Sequence, residues 1–172
     1  MKLFFLFLFF VSTSFSASAQ FKPEAMILPI TFLNFNDTAL QESLDNFVQT
    51  ELSRNFEIKS EDEVAEAMEK AIDEMDSETC TQEACIKKMG RMLDVDYTFN
   101  LKIIDTGQVW DLIAISIHYF ENRTMRRTEL CNNCSLTKAR KLISAMLSTM
   151  ETGEVSLKGG KSRLFVESTP KS

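Results

Sequence analysis

The chain has 172 residues, with 19 basic against 25 acidic side chains and a formal net charge of −6. A net acidic chain lacks the basic surface that supplies most nucleic-acid affinity, which argues against that class of partner. With 44% hydrophobic residues it can bury the core of one ordinary domain, so disulfides are not needed to replace a missing core.

The amino terminus reads MKLFFLFLFFVSTSFSASAQ. Lys2 is a short positive region, Leu3–Val11 is an unbroken apolar run, and Ala17-Ser18-Ala19 fits a small-residue cleavage site. Residues 1–19 are therefore expected to be a secretory signal peptide. The apolar run is too short for a bilayer, which needs about 20 residues. No cysteine stands at the cleavage point, so a lipoprotein signal is not apparent. No later segment is apolar enough to span a membrane, and the expected product is soluble and exported, periplasmic or extracellular.

Ala25–Leu33 (AMILPITFL) is an apolar run that reads as a buried strand. Pro29 cannot donate to a sheet ladder, so pairing there belongs at an edge or near the strand's end. A helix follows, with Leu40, Leu44, Phe47, Val48 and Leu52 on one face and a capping-box pattern at Thr38 and Gln41. FEIKS is a brief strand. A second helix starts at Ser60 with Glu63 completing its capping box, and its stripe is Val64, Met68, Ala71, Ile72 and Met75. After the polar break DSETCTQ, a short helix turns Ile86, Met89 and Leu93 inward.

The clearest local signal is VDYTFNLKI. Val95, Tyr97, Phe99, Leu101 and Ile103 alternate with Asp96, Thr98, Asn100 and Lys102, the pattern of a half-buried strand. DTGQ is a turn, and VWDLIAISIHYF runs back as a more apolar strand, so the two form a hairpin. In ELCNNCSLTKARKL a Cys-x-x-Cys pair stands at the start of a final helix, with Leu136, Ala139, Ile143, Met146 and Met150 on its inner face. The predicted order is β-α-β-α-α-β-β-α, a mixed α/β (α+β) sheet with packed helices over residues 20–150. Residues 151–163 are a Gly/Ser/Lys-containing linker. LFVESTPKS (164–172) reads as the start of a further, truncated domain.

The first strand AMILPITFLN, the short strand FEIKS, MGRMLDVDYTFNLKI and the hairpin DTGQVWDLIAISIHYF occur in the order found in the TolB amino-terminal domain and its CsgG-like relatives. The chain resembles that group over roughly residues 25–150. LFVESTP resembles the opening strand of a PEGA repeat. The resemblance implies a bacterial envelope protein that binds or assembles, and it implies no catalytic residues. Two features depart from the group: Asp94 and Asn100 stand where small residues or glycine are common, and the two cysteine pairs are absent from classical TolB.

Four cysteines, Cys80, Cys85, Cys131 and Cys134, form two local pairs in a chain expected to be exported. An even count in an oxidising compartment favours disulfides, and four cysteines allow three connectivities. The local bridges 80–85 and 131–134 are preferred, because each pair lies in a polar break before a helix. Two other chemistries stand beside them. Thiolates are favoured at helix starts, which would make Cys131 and Cys134 a redox pair. Four thiolates could also bind zinc, although the first pair has Cys-x4-Cys spacing. His118 is the one histidine and has no nucleophile in a recognisable motif. The glycines are too scattered for a phosphate loop, and the acidic run Asp73–Glu78 lacks a calcium-loop pattern. Arg123, Arg126 and Arg127 offer a candidate contact patch for an acidic partner or a phosphate-bearing lipid. Three glycosylation sequons are treated as chance.

The leading expectation is a non-enzymatic exported envelope protein, an interaction or assembly module for envelope partners, with no cofactor and no metal. The rivals are a periplasmic thiol–disulfide protein using Cys131 and Cys134, and a structural secreted domain with no specific partner.

Overall fold

A strand with apolar residues on both sides must be covered on both sides, and that requirement organises this fold. The computed structural model describes residues 21–75, 83–152 and 165–167. The expected leader, most of the linker, Cys80 and the rest of the carboxy-terminal stretch lie outside the described residues.

The elements in chain order are β1 (Glu24–Ile27), β2 (Thr31–Leu33), α1 (Thr38–Leu52), β3 (Glu57–Ile58), α2 (Glu61–Met75), α3 (Glu83–Met92), β4 (Tyr97–Asp105), β5 (Val109–His118), β6 (Arg123–Asn132), α4 (Leu136–Thr152) and β7 (Phe165–Glu167). The sheet order is β3-β1-β4-β5-β6-β7, with β2 also paired to β4. β3, β1, β2 and β4 pair in parallel, β4, β5 and β6 form an antiparallel meander, and β7, reached through α4, adds antiparallel to β6. The mixed α/β class with a mixed sheet is therefore as expected.

Pro29, which is exposed, divides the first apolar run into β1 and β2, as its missing donor requires. The second difference is larger. The stretch after Phe120 is a full strand, β6, paired residue for residue with β5 from His118↔Arg123 to Val109↔Asn132. Its apolar content is too low for alternation to show. Phe165–Glu167, from the stretch expected to open a further domain, runs antiparallel to Thr124–Arg126 on the outer side of β6.

Two cores sit on opposite faces. On the first, α1 and α4 cover Ala25, Ile27, Phe99, Leu101, Ile103, Leu112 and Ala114. Phe56 stacks edge-on against both Tyr97 and Phe99, at 4.9 and 5.1 Å between centroids. On the second face, α2 and α3 cover Met26, Leu28 and Ile117. Thr98, expected to face solvent, is 1% exposed there, beneath α3.

α3 is seated by a close approach. A Cβ at Gly90 would lie 1.9 Å from the Tyr119 hydroxyl. That hydroxyl donates to the Ile86 carbonyl (3.0 Å) and is hydrogen-bonded to Thr98 Oγ1 (2.9 Å). The helix ends with Val95 N–H donating to the Gly90 carbonyl and Asp94 N–H to that of Arg91, a Schellman arrangement. Asp94 occupies its left-handed position at φ 52°, where glycine is the common choice. Helix caps divide the expectations: Ser60 and Glu63 form the reciprocal box, whereas α1 is capped by Asp37, whose side chain accepts from Leu40 N–H. Gln41 reaches the Phe35 carbonyl instead of closing a box with Thr38.

Candidate functional site

The chain leaves β1 over the first face through α1 to reach β3. It returns over the second face, through α2 and α3, to reach β4 on β1's other side. α1 follows β1 and β2 onto one face and α2 follows the adjacent parallel strand β3 onto the other, which leaves a crevice at the carboxyl ends of β1 and β3. In parallel α/β sheets, ligands bind at such switch points.

A groove of about 600 Å³ occupies this position, within the usual size range of ligand sites. Its floor is apolar: Ile27 at the end of β1, Ile30 between β1 and β2, Phe32 from β2, and Val64 and Met68 from α2. α1 contributes Gln41, Glu42, Asp45, Asn46 and Gln49, and α2 contributes Glu61. Three carboxylates thus face a groove in which no lysine, arginine or histidine is among the described lining residues.

Asp45 shows the electrostatic consequence. Its partial burial, and then the charge of Glu61, push its carboxyl above the ordinary value of 3.8. No described ion pair offsets any of the three. The helix starts of α1 and α2 would favour an anion here, but the carboxylates oppose one. Periodicity does not reveal this site, because Asp45 and Glu61 read simply as solvent-facing helix positions. The signal that could find it is topological: an apolar strand flanked by helices that depart to opposite faces.

The cysteines lie elsewhere. Cys131 is the penultimate residue of β6 and Cys134 lies in the turn before α4. The two are joined in a disulfide with a Cα–Cα distance of 5.1 Å. The pair therefore bridges a strand end to a helix start; it does not sit within a helix. Cys131 is fully buried in the first core. Asn133, between them, takes φ 46°, a left-handed conformation that asparagine tolerates. Cys85 is buried at the start of α3 and is not a free thiol. The preferred 80–85 bridge falls partly on Cys80, outside the described residues.

The three arginines do not form one patch. Strand alternation turns Arg126 to the second face, where it is exposed, and Arg123 and Arg127 to the first. Arg127 donates to Thr149 of α4, and Arg123 pairs with Glu121 at 2.8 Å. His118, 2% exposed, sits between Ser116 Oγ (3.2 Å) and the Arg123 guanidinium (3.2 Å). Burial, and then the Arg123 charge, hold its pKa below 6.5. It belongs to the packed end of the first core.

Among the described residues no helix is long and apolar enough to cross a membrane, and no cluster of three metal-ligating side chains occurs. No protein-family profile matches the chain. No curated protein matches its sequence. The solved structures to which it is similar include the LpoB C-terminal domain from Salmonella enterica, at 8% identity and a TM-score of 0.47, covering 66% of this chain and 87% of that one. A second is the lipoprotein GNA1162 from Neisseria meningitidis, at 12% identity and 0.46, covering 79% and 99%. A third is a PelC dodecamer from Paraburkholderia phytofirmans, at 9% identity and 0.39, covering 74% and 86%. None of the three lends this chain a residue role, and the resemblance to the TolB amino-terminal domain rests on sequence order and spacing alone.

Proposed function

We propose that the chain is an exported, non-enzymatic protein of the bacterial cell envelope whose α/β domain serves as a protein–protein interaction or assembly module. The observation that carries this reading is the groove at the end of β1. It has a preformed apolar floor ringed by amides and unmatched carboxylates, with no hydroxyl, thiol or imidazole among its described lining residues. Such a lining holds a ligand and supplies no nucleophile–base pair of the Ser–His or Cys–His kind. The leader pattern and the Cys131–Cys134 bridge support export, because disulfides persist in oxidising compartments. The burial of Cys131 supports a structural staple over thiol exchange, which needs an accessible thiolate.

The test is to produce the full chain in a Gram-negative host with a photo-crosslinking residue at Met68 or, as a control, at Phe120, which is 98% exposed. The expected result is a processed, exported chain that gives a discrete adduct with an envelope protein from Met68. A chain retained in the cytoplasm, or one giving no adduct from any surface position, would overturn the reading. A measured reduction potential for Cys131–Cys134 far below that of the glutathione pool is expected. A potential in the oxidoreductase range would favour the thiol–disulfide alternative.

A further inference from the structure

The groove between α1 and α2 combines two demands on whatever fills it. Its floor of Ile27, Ile30, Phe32, Val64 and Met68 favours apolar side chains, whose burial stabilises by about 25 cal/mol for each Å² removed from water. Its walls carry Glu42, Asp45 and Glu61 with no cation among the described lining residues. We infer that the groove docks a basic amphipathic segment of a partner protein, its apolar side chains on the floor and a lysine or arginine among the three carboxylates. This rests on the interaction-module reading and adds the surface and the partner's chemistry.

The carboxylates make the choice of partner. An acidic or phosphorylated segment would bring like charge against three anions, and juxtaposed like charges are a strong device for rejecting partners. A bare cation would leave the apolar floor in water. A purely apolar segment would bury the carboxylates further without a counterion, which is costly. Only a segment with both characters relieves both conditions. Burial and Glu61 push the Asp45 carboxyl above its ordinary value, so an arriving cation would favour its charged form. Asp45, half-buried beside Glu61 with no cation among the described lining residues, carries an electrostatic cost of the kind that marks functional sites.

The test uses the purified exported chain and a fluorescein-labelled ten-residue peptide of alternating leucine and arginine. Controls replace arginine with glutamate or leucine with serine, and spermidine and calcium are tested alone. Anisotropy titration should show the leucine–arginine peptide binding at least tenfold tighter than either control peptide, and weakening as salt rises. Combining Glu42→Gln, Asp45→Asn and Glu61→Gln should weaken it by about tenfold, as the loss of partly exposed charge pairs would. Ala65→Arg, which places a cation on the groove wall, should weaken it at least as much. The urea midpoint of each variant shows that the fold is retained.

Unchanged affinity in the triple variant would overturn the inference. So would equal binding of the serine–arginine peptide or spermidine, which would mark a site for cations alone. Self-association abolished by the same substitutions would put a second copy in the groove and also overturn it. A discrete envelope adduct from another surface, with no peptide binding here, would leave the module reading standing and remove only the groove assignment. No adduct from any surface would instead remove the module reading.

Discussion

The two faces of the central sheet are built from the same strands yet are finished differently. On the first, α1 and α4 lie over a continuous core that runs from Phe56 through Phe99 to Trp110 and Cys131. On the second, α2 and α3 cover only the end that carries Met26, Thr98 and Ile117. Beyond it, three rows cross β4, β5 and β6 without a described helix above them: Asn100–Ile115–Arg126, Lys102–Ile113–Thr128 and Ile104–Asp111–Leu130. The composition follows the cover. The first face is largely aliphatic and aromatic, while the open rows mix isoleucine with amide, hydroxyl and charge. A covered strand needs apolar residues on both sides, and an open one needs only enough apolar surface to keep its pleat.

Substitutions should expose that contrast. Phe99→Ala on the first face should be the most damaging, at about 3–5 kcal/mol, because the ring is fully buried between Phe56 and Tyr97. Urea denaturation measures it, and a loss below about 1 kcal/mol would show that the first core is loosely packed. Gly90→Ala tests the covered end of the second face. The added methyl collides with Tyr119, and overpacking of this kind costs ~1–3 kcal/mol. Pairing it with Tyr119→Ala, which removes the ring whose hydroxyl, Cζ and Cε2 all lie within 2.6 Å of the new methyl, should make the two losses less than additive and confirm the cause.

The pH response follows from His118, the chain's one histidine. Its pKa is held below 6.5 in the folded protein by burial and by Arg123, despite Glu121 nearby. The unfolded chain therefore takes up the proton first as pH falls through 6.5, and stability declines from there down to the folded pKa. The urea midpoint should fall as pH drops below about 6.5, and His118→Gln should flatten that slope. A slope that survives the substitution would assign it to another group. The smallest effect is expected on the open rows: Ile113→Thr should stay within about 0.5 kcal/mol, as for surface sites generally. A larger loss would mean that the rows are covered in solution.

The same contrast explains what can be read from sequence. β4 and the hairpin turn are legible because alternation and Gly107, at φ 98°, leave few options. α2 is legible through its capping box and stripe. β6 is not, since Arg123, Arg126, Arg127 and Glu129 outnumber its apolar residues; its strand state comes from pairing along the whole of β5, which is non-local. For the same reason three nearby arginines read as one patch, although alternation divides them between faces. Thr98 looks like a solvent position because burial under α3 depends on a hydroxyl partner, Tyr119, 21 residues away. The pairing of Cys131 with Cys134 is within reach of sequence, because a short spacing and a turn decide that geometry locally. The groove needs the topology before its carboxylates can be seen to converge.

Trp110 is the chain's one tryptophan, and it lies opposite Cys131 in the β5–β6 register, against the edge of Phe35 at 4.8 Å. The strand pairing therefore sets a single indole beside the one disulfide whose two halves are described. Indole emission is sensitive to neighbouring sulfur and to water, so the protein carries its own optical gauge. Opening the bridge should change its brightness, and loosening β6 from β5 should shift its colour, with no label attached.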